Sequence, residues 1–145
     1  MSFSSAVSSA LRQYATFSGR ARRSEYWWFQ LAFALAYLAV VVVGTVLAGV
    51  AGAVGGEVAQ SIAGTVLSLL VLVLYLAVLL PSLAVTVRRV HDTGRSGWWV
   101  LAGALPVLNV VLFVFTLLDS APGPNAHGPS PKATRTWSPQ PGWAA

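Results

Sequence analysis

Residues 26–56 of this chain carry no charged side chain, and neither do residues 58–87 or 96–118. A helix needs about 20 predominantly apolar residues to cross the roughly 30 Å hydrocarbon core of a bilayer. The three stretches therefore leave room for three spans, placed at about 25–50, 62–85 and 98–118. A soluble core helix meets the same length criterion once, but three such runs in one short chain argue against it. Composition agrees: 56% of residues are hydrophobic, 9% are charged, and the mean hydropathy is +0.69. The expected fold class is an all-α membrane protein. Residues 1–120 form a small bundle of about three transmembrane helices, and residues 121–145 form a Pro-rich, largely disordered tail.

The absence of cysteine excludes disulfides, thiol catalysis and cysteine metal sites. Ala51-Gly52-Ala53 has the small-x-small form of a signal cleavage site. The apolar run before it is much longer than the roughly 7–15 residues of a signal core, so a retained first span is expected. Before that span, Phe3, Val7, Ala10, Leu11 and Tyr14 fall on one helical stripe, the pattern of an amphipathic helix lying in the membrane interface.

Basic and aromatic residues mark the ends of the apolar runs. In FSGRARRSEYWWF, residues 17–29, Arg20, Arg22 and Arg23 meet head groups, and Tyr26, Trp27 and Trp28 follow at belt depth. The N-terminal segment also carries Arg12, and the loop at 86–97 carries Arg88, Arg89 and Arg95. The connection at 51–61 has no basic residue, and the tail has Lys132 and Arg135. The positive-inside rule then places the N-terminus and the arginine loop in the cytoplasm. Three full spans put the tail outside, whereas a turn at Pro106 and Asn109 puts it inside. Within the first span Gly44, Ala48 and Gly52 recur every fourth residue, a spacing that lets helix backbones approach closely, within the protein or across a dimer.

The other polar stretch is RRVHDTGRSGWW, residues 88–99. Much of it is ordinary edge chemistry. Arginines snorkel to the interface, Asp92-Thr93-Gly94 makes a turn, Ser96 caps the next helix, and Trp98 and Trp99 anchor it. A sharper reading groups His91 and Asp92 with Glu25, which is expected at the same membrane face and pairs with Arg88 or Arg89. The candidate structural or binding cluster is therefore Arg20, Arg23, Glu25, Arg88, Arg89, His91, Asp92 and Arg95. No catalytic residue, metal site or cofactor is expected. The chain has no phosphate-binding glycine loop, no paired-histidine helix motif and no hydrolase elbow.

Three function classes remain. The first is a non-enzymatic membrane binding or scaffold component. Its partners would be the bilayer, anionic lipid head groups and a second copy or another membrane protein, not nucleic acid. The second is an oligomeric small-solute transporter or channel component lined by Asn109, Tyr75 and Ser68. The third is a membrane enzyme using His91 and Asp92.

The two arginine motifs, followed by GPNAHGPSP at 123–131, resemble the YhaH-like bacterial inner-membrane family of unknown function, domain of unknown function 805. The resemblance covers residues 10–131. In the third motif His127 stands where an aromatic residue is usual, and Ser130 where an acid is usual. The resemblance implies a small multi-spanning inner-membrane protein and no established activity, substrate or cofactor. It also implies that Gly19, Arg20, Arg23, Glu25, Tyr26, Trp27, Arg89, His91, Asp92, Gly94, Ser96, Gly97 and Trp98 belong to one shared core.

Overall fold

Ser2 opens the first helix. Its hydroxyl accepts a hydrogen bond from the Ser5 amide at 3.3 Å, satisfying one of the unpaired donors at the start of α1 (Phe3–Arg12). The computed structural model describes residues 1–132. In α1 the apolar stripe is divided. Ala10 is buried in a cluster with Ala21, Phe29 and Val85, and Ala6 is buried beside it. Phe3, Leu11 and Tyr14 remain exposed, with the Phe3 ring edge-on to Trp28 at 5.8 Å. Small side chains let α1 lie close on its neighbour, and the large ones face outward.

Gly19 takes a φ of +87°, and the chain enters α2 (Arg23–Asp92). Its one departure from helical dihedrals is Gly56, at φ 73° and ψ −169°, which breaks the helix into arms at 23–55 and 57–92. The left-handed region is open to glycine because it has no Cβ. The arms fold back on each other. Leu67 lies over Gly44, and a Cβ built on Gly52 would come within 2.8 Å of Gln60 Oε1. The small-residue spacing thus serves packing within the chain. The short connection expected at 51–61 is instead helical on both sides of a single glycine. Pro81 is accommodated in the second arm, which keeps helical dihedrals there. Each arm extends about 50 Å at 1.5 Å per residue, longer than the roughly 30 Å of a hydrocarbon core.

The continuous helix expected at 98–118 does not form. The segment is α3 (Trp99–Ala102), a turn through residues 103–105, and α4 (Pro106–Leu117). Leu105 is extended, at φ −95° and ψ 129°, as the ring of the following proline requires, and Pro106 occupies the first turn of α4. Asn109 Nδ2 donates to the Gly103 carbonyl at 2.9 Å and closes the turn. With 12 residues, α4 spans about 18 Å. It leads back to the end of the hairpin where α3 began: the Ala121 amide donates to the Asp92 carbonyl at 2.9 Å.

The start of the tail is ordered against that same end, contrary to the disorder expected from residue 121 onward. Asn125 and Gly128 exchange backbone hydrogen bonds at 3.0 and 3.1 Å, and Asn125 Nδ2 donates to the His91 carbonyl at 3.0 Å. The remainder of the expected tail, residues 133–145, lies outside the described residues.

Candidate functional site

Helical geometry divides the second arginine motif between two networks. Adjacent residues on a helix point about 100° apart, so Arg88 and Arg89 face different neighbours. Arg88 faces α1 and the first arm. Its Nη1 donates to Glu25 Oε1 at 3.0 Å and to Gln13 Oε1 at 2.8 Å, and the Ser9 hydroxyl also donates to Glu25, at 3.1 Å. Glu25 is only 5% exposed and Arg88 1%. This network ties α1 to both arms. Glu25 thus has its arginine partner, and that partner is Arg88.

Arg89 and Asp92 lie three apart and therefore on one face of the second arm. Asp92 is fully buried and accepts from Arg89 Nη1, from Arg20 Nε at 2.9 Å and from the Ser120 hydroxyl at 2.5 Å. Two guanidinium groups share one carboxylate, and backbone carbonyls satisfy their other donors. Arg20 Nη2 donates to Ala121 O at 2.7 Å, and its Nη1 donates to Gly123 O at 2.8 Å. Arg89 donates to Thr116 O at 3.3 Å and to Leu118 O, while Arg23 donates to Leu117 O at 3.2 Å. These carbonyls end α4, where the helix leaves acceptors unpaired and its dipole favours positive charge. Arg23 at the start of the first arm and Arg89 near the end of the second therefore cap α4.

The other candidate residues sit around this hub. Arg95 lies over the Phe115 ring, with its guanidinium carbon 4.2 Å from the centroid, a cation–π arrangement. Arg23 reaches the exposed Asp119 at 3.5 Å. Hydrogen bonds from Lys132 and the Ser120 amide hold the Asp119 carboxyl below its ordinary range. His91 stacks on His127, with centroids 3.7 Å apart and planes 3° from parallel. Its Nδ1 lies 3.3 Å from the Gly19 carbonyl, which requires a proton on that nitrogen. Burial lowers the His91 pKa, the neighbouring His127 lowers it further, and the Gly19 bond opposes both.

All eight candidate residues thus lie at one end of the hairpin. Ser9, Gln13 and Ser120 escaped the sequence reading because short polar side chains in flanking segments have no periodicity to mark them, whereas Asn125 stands in the third family motif. His127 carried a signal, since it falls inside the third family motif, but its contact with His91 spans a long stretch of chain. Among the described residues, no group of three His, Cys, Asp or Glu side chains is placed to hold a metal ion. The residues considered for a solute path are separated: Tyr75 and Asn109 line a cleft of about 560 Å³ between the second arm and α3–α4, while the exposed Ser68 lies outside it and bonds to Gly64 O.

Long apolar helices whose charged groups, Glu57 at the hinge apart, gather at one end among the described residues define a helical membrane protein. Residues 14–129 match the family model described as "Protein of unknown function (DUF805)", and the chain belongs to that family. It is 40% identical over 125 residues to the inner membrane protein YhaI of Escherichia coli K-12, covering 86% of this chain and 92% of YhaI. It is 35% identical over 123 residues to the inner membrane protein YhaH of the same strain, covering 84% and 92%. No solved structure is significantly similar to the chain.

Proposed function

We propose that this chain is a non-enzymatic binding or scaffold component of the bacterial inner membrane. In this reading the two arms of α2 cross the bilayer, α3 and α4 enter and leave it on one side, and the polar end lies in the cytoplasm. The charge balance at that end carries the reading. Arg12, Arg20, Arg22, Arg23, Arg88, Arg89, Arg95 and Lys132 are opposed there by Glu25, Asp92 and Asp119 alone. Each of the two buried carboxylates accepts from an arginine and a hydroxyl, contacts that tie segments of the chain together. The buried arginines hold the helices together, and the excess positive charge sits on outer residues such as the exposed Arg12 and the half-buried Arg22. Such a surface attracts anionic lipid head groups at about 1 kcal/mol per basic residue. The outward Phe3, Leu11 and Tyr14 of α1 supply apolar contact at the same level.

The absence of native cysteine makes the test direct. Single cysteines at the exposed Glu57, Ser96 and Ala126 are treated in intact cells with a membrane-impermeant thiol reagent. Labelling at 57 alone is the expected result. Labelling at 96 reverses the orientation, and labelling at 126 without 96 means that the third segment crosses. In purified protein, Arg12→Gln with Arg22→Gln lowers retention of phosphatidylglycerol relative to phosphatidylcholine. Equal retention of the two lipids by the unaltered protein defeats the lipid-binding role.

A further inference from the structure

A cleft of about 530 Å³ opens beside the stacked histidines. One half is apolar, with Leu83, Val87 and Leu101 on its walls, and the other holds His91, His127 and Ser96. In the orientation proposed above, the apolar half faces the bilayer and the polar half sits at head-group level. An occupant must therefore carry both an apolar chain and a polar head.

The chemistry of the head follows from the rim. With its Nδ1–H donated to Gly19, neutral His91 keeps a lone pair on Nε2. His127 makes no side-chain hydrogen bond among the described residues. Among the described residues, the two histidines are the only titratable groups that line the cleft from any element packed around it. Asp92, one residue from His91, is already bonded to Arg20, Arg89 and Ser120. A proton on the histidine pair therefore finds no counter-charge in the protein. Parallel rings this close accept one charge far more readily than two, because like charges repel. A single acidic group on an incoming molecule would supply the missing charge.

We infer that this cleft binds an acidic single-chain amphiphile, with its acyl chain along Leu83, Val87 and Leu101 and its carboxylate or phosphate at His91 and His127, and that binding places one proton on the pair. The inference deepens the lipid-binding reading and rests on the polar end lying at the bilayer surface.

The chain has two histidines, so ¹⁵N-histidine labelling reads this site alone. The full-length protein in neutral-lipid nanodiscs is titrated between pH 5 and 8 with oleate, oleyl alcohol or acetate present. Oleate is expected to move the imidazole midpoint up by about one pH unit, a tenfold preference for the protonated pair. Oleyl alcohol, with the same chain and no charge, and acetate, with the charge and no chain, are expected to leave it in place. An equal response to oleate and oleyl alcohol, an equal response to oleate and acetate, or no response to oleate overturns the inference. Leu101→Trp fills the apolar half without touching either imidazole. It should abolish the oleate response and preserve the ligand-free titration; an undiminished oleate response in this variant also overturns the proposed seat. Phosphatidylglycerol retention through Arg12 and Arg22 is a separate measurement, so loss of either result leaves the other standing.

Discussion

Arg89 and Asp92, three residues apart on the second arm, form an ion pair in which neither side chain has any exposure to solvent. Arg20 adds a second guanidinium to the same carboxylate from the segment just before the first arm. Removing one member of a buried pair strands the other charge, at a cost of about 3–5 kcal/mol. Asp92→Asn strands two. Asp92→Asn is therefore expected to unfold at much lower denaturant or temperature than the parent in detergent, and Arg20→Gln or Arg89→Gln by a smaller margin. Asp92→Asn with parent-like stability would refute the hub.

Glu25 and Arg88 give a partner-specific test. Each single reversal, Glu25→Arg or Arg88→Glu, places like charges about 3 Å apart and is expected to abolish stable expression. The double reversal restores folding in part, because opposite charges again face each other. Combining Glu25→Arg with Arg89→Glu gives no rescue, since Arg89 points toward α4. Folded yield after detergent extraction separates the two combinations.

Gly44 sits under Leu67 where the arms approach. A larger side chain there must displace Leu67 or separate the helices, and overpacking of this kind costs about 1–3 kcal/mol. Gly44→Ile should lower the thermal midpoint, and adding Leu67→Ala should recover much of the loss. If Leu67→Ala gives no recovery, the arms do not meet at this pair.

His91 makes docking of residues 121–132 depend on pH. Its pKa is lowered in the folded protein by burial and by His127, so the unfolded chain binds more protons around the ordinary imidazole value. Stability is then fully present above about pH 6.5, declines as pH falls toward the lowered folded value, and levels off below it. Limited proteolysis of residues 121–132 should accelerate through that window. The step should disappear in His91→Gln, which cannot titrate. Proteolysis of the parent that does not change between pH 5 and 8 would contradict this linkage.

How far the residue order alone reaches differs between segments. Charge-free runs marked both arms of α2, because the bilayer sets a minimum length that a one-dimensional pattern can meet. The third run passed the same test and yet turns at residues 103–105. Hydropathy counts apolar residues, whereas the extended Leu105 before Pro106 and the Asn109–Gly103 bond decide where the backbone reverses. The tail shows the opposite limit. Its composition implies disorder, but the carbonyls of residues 121 and 123 are held by Arg20.

The residue sequence by itself determined the class of protein, the approximate positions of its two long apolar helices and the gathering of arginines at one end, because hydrophobic length and charge placement are local properties. Only the tertiary structure decided the partnerships: Glu25 with Arg88, Asp92 with Arg20 and Arg89, and His91 with His127. Each of these depends on how far one helix is rotated against another. At about 100° per residue, a shift of one position sends the same arginine to a different neighbour, and that rotation is set by Gly56, by the alanines under α1 and by the reversal at Pro106.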